Sequence, residues 1–289
     1  MNRNDESRAA RPKAPVALWA AGLLFAAPAF AGTPKMVIEP APAPGCGDWE
    51  WGISFDYVWR EIDRSENYLS PPELWYVDYD DYEADLWGGT IWITPPNLGN
   101  TTFDFSYRQG DIEGTFRNYS LDPNPIDPLS YTGRADFDRE EIELGATVPC
   151  PYVEWLYGRI EVFRHQEDGV WDYGGGFFEP QEYDMWGAIV GLGAGNSYPL
   201  GGGGITLDLG VFLGLVYFDL EHKEVLSGAK TSWDGFGWKG SAHTRLNFPV
   251  SECYAIYTGI GYEYMETEDG ALDQSTQGVL VNLGLRGRF

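Results

Sequence analysis

The sequence predicts an all-β fold: a closed, antiparallel, up-and-down transmembrane β-barrel of about ten strands. Three observations lead there. From Asp48 to Phe289 the chain keeps a period-2 alternation without a helical block of consequence. Turn signals rich in Pro and Gly divide that alternation into an even number of segments. Beyond the first thirty-one residues there is no apolar stretch of about 18 residues, so a membrane crossing has to be made by strands.

The leader comes first. Arg3, Arg8, Arg11 and Lys13 precede an apolar run from Ala14 to Ala27, and Ala29-Phe30-Ala31 offers a small-x-small cleavage site, which reads as a signal peptide over residues 1–31. Residues 32–47, rich in Pro and Ala, read as a short periplasmic tether, and residues 48–289 as the barrel. Without the leader the formal charge moves from −25 to −27. A balance this negative repels phosphate and argues against nucleic acid as a partner.

Ten strands are expected at about 49–62, 82–94, 101–117, 135–148, 153–167, 183–198, 204–222, 235–249, 254–267 and 276–289. The links 95–100, 149–151, 198–203 and 249–253 are tight Pro/Gly turns, whereas the intervening links read as longer, acidic loops. That asymmetry belongs to a barrel with short turns at one end and extracellular loops at the other, both termini lying on the short-turn side.

One parity of each strand is apolar and the other mixed. In the seventh, Ile205, Leu207, Leu209, Val211, Leu213, Leu215 and Tyr217 share a face against Thr206, Asp208, Gly210, Phe212 and Gly214. Trp49, Trp51, Trp59, Trp155, Trp186, Trp238, Tyr254, Tyr262 and Tyr264 gather near strand ends, as interfacial girdles do, which turns the apolar face to lipid. The mixed faces then carry Glu50, Asp56, Asp104, Glu141, Glu143, Glu161, Asp208 and Glu263 against Arg60, Arg108, Arg139, Arg159, Lys239, Arg245, Arg286 and Arg288. Acids and bases balanced on one face of so acidic a chain predict an ion-pair network in the lumen.

The C-terminus, GVLVNLGLRGRF, sets Val279, Val281, Leu283, Leu285 and Phe289 on one parity. It resembles the terminal strand of bacterial outer-membrane β-barrel proteins, although Gly287 stands where many such strands carry a bulky apolar residue. The resemblance implies an outer-membrane location, outer-membrane lipids as surroundings, and recognition by the barrel-assembly machinery through the strand ending at Phe289. Ten strands is also the architecture of the omptin proteases, which implies a site of acidic residues and a His near the outer rim. The matching stretches are FDLEH, with Asp219, Glu221 and His222, and DYDDYEAD, with Asp78, Asp80, Asp81, Glu83 and Asp85. Their spacing does not reproduce the omptin pattern, and His165 and His243 fall on the lumen face.

No catalytic or cofactor-binding residue is assigned. Asp78, Asp80, Asp81, Glu83 and Asp85 form a weak candidate for loosely held Ca²⁺ or Mg²⁺, with a solvated acidic loop the favoured account. Of the three cysteines, Cys46 in the tether can reach Cys150 or Cys253 in the short turns, and any disulfide is expected to include it. The function expected is a monomeric, structural or surface-presenting barrel with a largely plugged lumen. The alternative is a narrow, porin-like pore for ions or small solutes, to which Gly187, Gly191, Gly193 and Gly195 would lend space.

Overall fold

The structure, a computed structural model, describes residues 46–289 apart from 71, 72, 122–129 and 202. The expected leader and most of the expected tether lie outside the described residues. Ten strands follow in chain order: β1 (Glu50–Ser70), β2 (Glu73–Thr94), β3 (Thr102–Ser120), β4 (Ser130–Pro149), β5 (Leu156–Asp172), β6 (Phe178–Leu200), β7 (Ile205–Glu224), β8 (Lys230–Pro249), β9 (Tyr254–Glu268) and β10 (Leu272–Arg288). Each pairs antiparallel with its sequence neighbours, and β1 pairs with β10, which closes the barrel.

The strands are far longer than a bilayer needs, and each divides into two storeys. The lower storey ends at the turns after β2, β4, β6 and β8, beside both ends of the barrel chain. There the outward parity is apolar: Leu213, Leu215 and Leu283 are 62%, 69% and 60% exposed. On β7 this belt runs from Leu207 to Tyr217, about 25 Å for a tilted strand, which suits the hydrocarbon of an outer membrane. Trp49, Trp155 and Tyr254 edge it below. Trp186 with Tyr217 and Trp238 with Tyr264 edge it above, the rings of each pair in contact.

Above that upper girdle the pattern inverts. On β7 the outward residues become Asp219 and Glu221, while Val216, Phe218 and Leu220 turn inward and are buried. They join Ile62, Leu86, Ile112, Phe137, Trp171, Trp233 and Leu272 in an apolar core. Water outside the upper storey favours charge there and drives apolar side chains inward, the reverse of what lipid imposes below.

This inversion corrects two expectations. The upper girdle lies mid-strand, not at strand ends. The acidic links expected to be loops are largely strand: DYDDYEAD is part of β2, its ladder interrupted by a bulge at Asp80–Glu83 where Asp81 takes a φ of 53°. Only 121–129 is a long link at the upper end; 173–177, 225–229 and 269–271 are as short as the turns below. The negative excess therefore lies mainly on the outer wall of the upper storey. Asp85, Asp111, Asp138, Asp168 and Glu182 stand in register across β2 to β6, a row of like charges side by side.

Candidate functional site: the charged lumen

Side chains of the inward parity converge because every strand contributes alternate residues to one enclosed space. At belt depth Arg60 reaches Glu141 at 3.0 Å and Glu263 at 3.3 Å, and Arg108 reaches Glu143 at 3.0 Å and Asp56 and Glu141 at 3.7 Å. Lys239 joins Glu161 at 2.9 Å and Glu263 at 3.8 Å. Arg159 continues the chain of contacts to Glu161 at 3.0 Å and Asp104 at 2.7 Å. Upward, Arg139 links Glu141 at 2.8 Å to Glu167 at 2.6 Å. These residues form one connected web from β1 across to β8. Of the remaining residues expected in it, Asp208 pairs apart with Arg245 at 3.0 Å and accepts from Asn247, and Glu50 pairs with Arg288 at the lower rim. Arg286 shares the inward parity, opposite Gly52 and Ala255.

Three members were not anticipated: Arg64, Glu66 and Glu167. Arg64 binds Glu167 through both terminal nitrogens, at 2.8 and 2.9 Å, with the rings of Tyr79, Tyr82 and Tyr183 within 4.8 to 5.7 Å of its guanidinium. Glu66 accepts from the Tyr183 hydroxyl at 2.7 Å and the Tyr79 hydroxyl at 3.2 Å. Their signal was parity, since Arg64 and Glu66 continue the series Asp56, Arg60, and Glu167 continues Glu161.

Three of the four glycines expected to leave space are overlaid by rings, and a Cβ on the fourth, Gly195, would meet nothing nearer than the Leu209 carbonyl at 3.2 Å. A Cβ on Gly187, Gly191 or Gly193 would collide with Phe163, Phe212 or Tyr157 respectively. Among the described residues, three side chains able to bind a metal converge at Glu141, Glu143 and His165. Positive charge is already supplied there: Arg60 and Arg139 hold Glu141, Arg108 holds Glu143, and Arg139 donates to His165 Nδ1 at 3.1 Å. The weak candidate set does not converge. Asp78, Asp80, Asp81, Glu83 and Asp85 are strung down the outer wall of β2, where Glu83 accepts from Trp59 and Asp85 from Tyr57.

The FDLEH stretch is divided by its own alternation. Asp219 and Glu221 point outward, Glu221 to Lys230, whereas His222 points inward, 2.7 Å from Gln181 and stacked on Tyr183. Burial holds His222 down to about 3, so it stays neutral.

At the lower rim Cys46 and Cys253 form a disulfide with Cα atoms 5.5 Å apart, and Cys150 is a free thiol. The bond ties the chain ahead of β1 to the β8–β9 turn, passing the end of β10. Trp49 and Phe289 exchange backbone hydrogen bonds of 3.2 and 3.1 Å and stack their rings.

No protein family and no curated protein matches the sequence. Among solved structures the chain is similar to the outer membrane protease OmpT from Escherichia coli, with a TM-score of 0.54 and 10% identity over 83% of this chain and 96% of that one. The fold is that of a bacterial outer-membrane β-barrel. More distant is the translocator domain of autotransporter NalP from Neisseria meningitidis, at TM-score 0.39 and 14% identity over 82% of this chain and 88% of that one. Neisserial surface protein A follows at 0.34 and 10%, over 85% and 99%. With its apolar belt, this outer-membrane barrel sets its lower storey in lipid and its upper storey in water.

Proposed function

We propose that the protein is a structural, surface-presenting outer-membrane barrel whose lumen is largely plugged. The observation that carries this reading is the buried ion-pair web at belt depth, which crosses the lumen from Asp56 to Lys239 and is roofed by the apolar core of the upper storey. A side chain that passed ions would have to exchange partners; here Arg60, Arg108, Arg139 and Arg159 each hold two or more carboxylates. A non-catalytic role is supported by the division of FDLEH and by the outward course of the β2 acids, which leave no imidazole facing a free carboxylate across the upper rim among the described residues. Export with loss of residues 1–31, and insertion as a monomer through the strand ending at Phe289, belong to the same proposal. Single-channel recording of the refolded protein in planar bilayers tests it. The expected trace is the lipid background; regular conductance steps from the unmodified chain would establish the narrow pore instead.

A further inference from the structure

At the top of the outer wall, directly above the carboxylate row, the β5–β7 sector turns apolar again. Val170 faces Pro180 in register, and the Val225 N–H donates to the Pro180 carbonyl at 3.0 Å. Around this row Phe177, Phe178 and Leu226 are 61%, 53% and 70% exposed. Phe178 lies eight residues beyond Trp186 of the upper girdle, about 20 Å along a tilted strand, so its own membrane does not cover it.

The turn that offers these side chains is held, not loose. Gly174, Gly175 and Gly176 take φ values of 80°, 65° and 86°, which glycine adopts without strain. Tyr173 and Phe177 close the turn by backbone hydrogen bonds, and Gly174 N–H donates to Asp172 at 2.7 Å. Tyr173 itself points inward onto Phe116 and Tyr131, anchoring the turn in the core while the phenylalanines face water. Apolar side chains held out in this way mark an interaction surface.

Charge selects the occupant. Asp168, Asp172 and Glu182 border the patch on the outward face, whereas Glu179 lies on the inward parity and accepts from the Tyr173 hydroxyl. Arg134 stands opposite Asp172 on β4, and the lysines beside the patch are engaged, Lys223 by Glu182 and Lys230 by Glu221, each at 2.6 Å. A second copy of so acidic a chain, or an anionic membrane, would bring like charge against this rim. We propose that the patch docks a cationic amphipathic polypeptide segment, its apolar residues on Phe177, Phe178, Val225 and Leu226 and its lysines or arginines on the bordering carboxylates. This deepens the surface-presenting reading and rests on it. The two fail separately, since conductance tests the lumen and binding tests the patch.

The experiment uses the full barrel in zwitterionic nanodiscs and a fluorescent amphipathic Leu/Lys peptide, with empty nanodiscs subtracted. The wild type is expected to bind it, with affinity falling as salt rises, and Phe178→Ser with Leu226→Ser to weaken binding at least tenfold while gel migration reports an intact barrel. Phe177→Ser, at the tip of the turn, gives a second reading if the double variant does not fold. Binding unchanged in folded variants would reduce the effect to non-specific charge and overturn the proposal. So would equal binding of a Leu/Glu peptide, or a concentration-dependent dimer that the substitutions abolish.

Discussion

Burial above the belt pushes the Glu66 carboxyl up to about 7, against the pull of Arg64 and of hydrogen bonds from Tyr183 and Tyr79. The folded state thus holds this proton more tightly than the unfolded chain, where the group titrates near 4.5. Its contribution to stability is full below about 4.5 and is lost as pH rises through about 7. The buried His222, depressed by burial, tilts the total the other way, so the difference between wild type and Glu66→Gln isolates the carboxyl. Urea unfolding is expected to show the variant gaining on the wild type by on the order of 3 kcal/mol between pH 4.5 and 8. A difference independent of pH would place that titration elsewhere. In the web below, Glu141→Gln takes from Arg60 and Arg139 one of the two carboxylates that each holds, leaves an excess of buried positive charge, and is expected to lower stability by about 3 kcal/mol. Asp184→Asn breaks the exposed 2.7 Å pair with Arg164 and should cost under about 1 kcal/mol in the same assay.

Strand β7 shows what could be read in advance and what could not. Its lower half, Leu207 to Tyr217, showed an apolar face through parity, the aromatics gathered as girdles turned that face to lipid, and together these brought Arg60, Arg108, Glu141 and Glu143 into the lumen. From Val216 to Leu220 the apolar residues change parity; the strand was expected to run to 222, but its apolar face was followed only as far as Tyr217, and the change of face beyond it was not read. Backbone pairing does not depend on which face is apolar, so the strand continues to Glu224. The same effect hid Arg64 and Glu66, which lie on β1 beyond the switch. Pairing of the cysteines was open for a different reason, since a tether's reach does not choose between two turns. The inversion has its own test. Leu213→Arg, in the belt, is expected to cost roughly 2 to 4 kcal/mol and to cost more as the bilayer is thickened. Leu220→Arg, in the upper core, buries an unpaired charge in protein and should lose stability by an amount that bilayer thickness does not alter. A common response to thickness would mean that both residues face the same solvent.

Closed on itself and pinned by the Cys46–Cys253 bond, the barrel has no sheet edge at which unfolding can begin. Cross-linking across 207 residues is worth about 5 kcal/mol in the chain-entropy account. Semi-native gels should therefore show a compact folded band whose loss on heating shifts to lower temperature after reduction, while alkylation of Cys150 alone leaves it in place; no shift on reduction would mean that the bond adds nothing to closure. That bond also carries information about time. Its two sulfurs belong to chain flanking β1 and β9, strands that become second neighbours only once β10 has filled the place between them. Thiol state is therefore expected to work as a completion mark: in a population caught during assembly, the fraction of chains with Cys46 and Cys253 joined should rise with the fraction in which β1 and β10 have paired, as quenching with an alkylating agent would show.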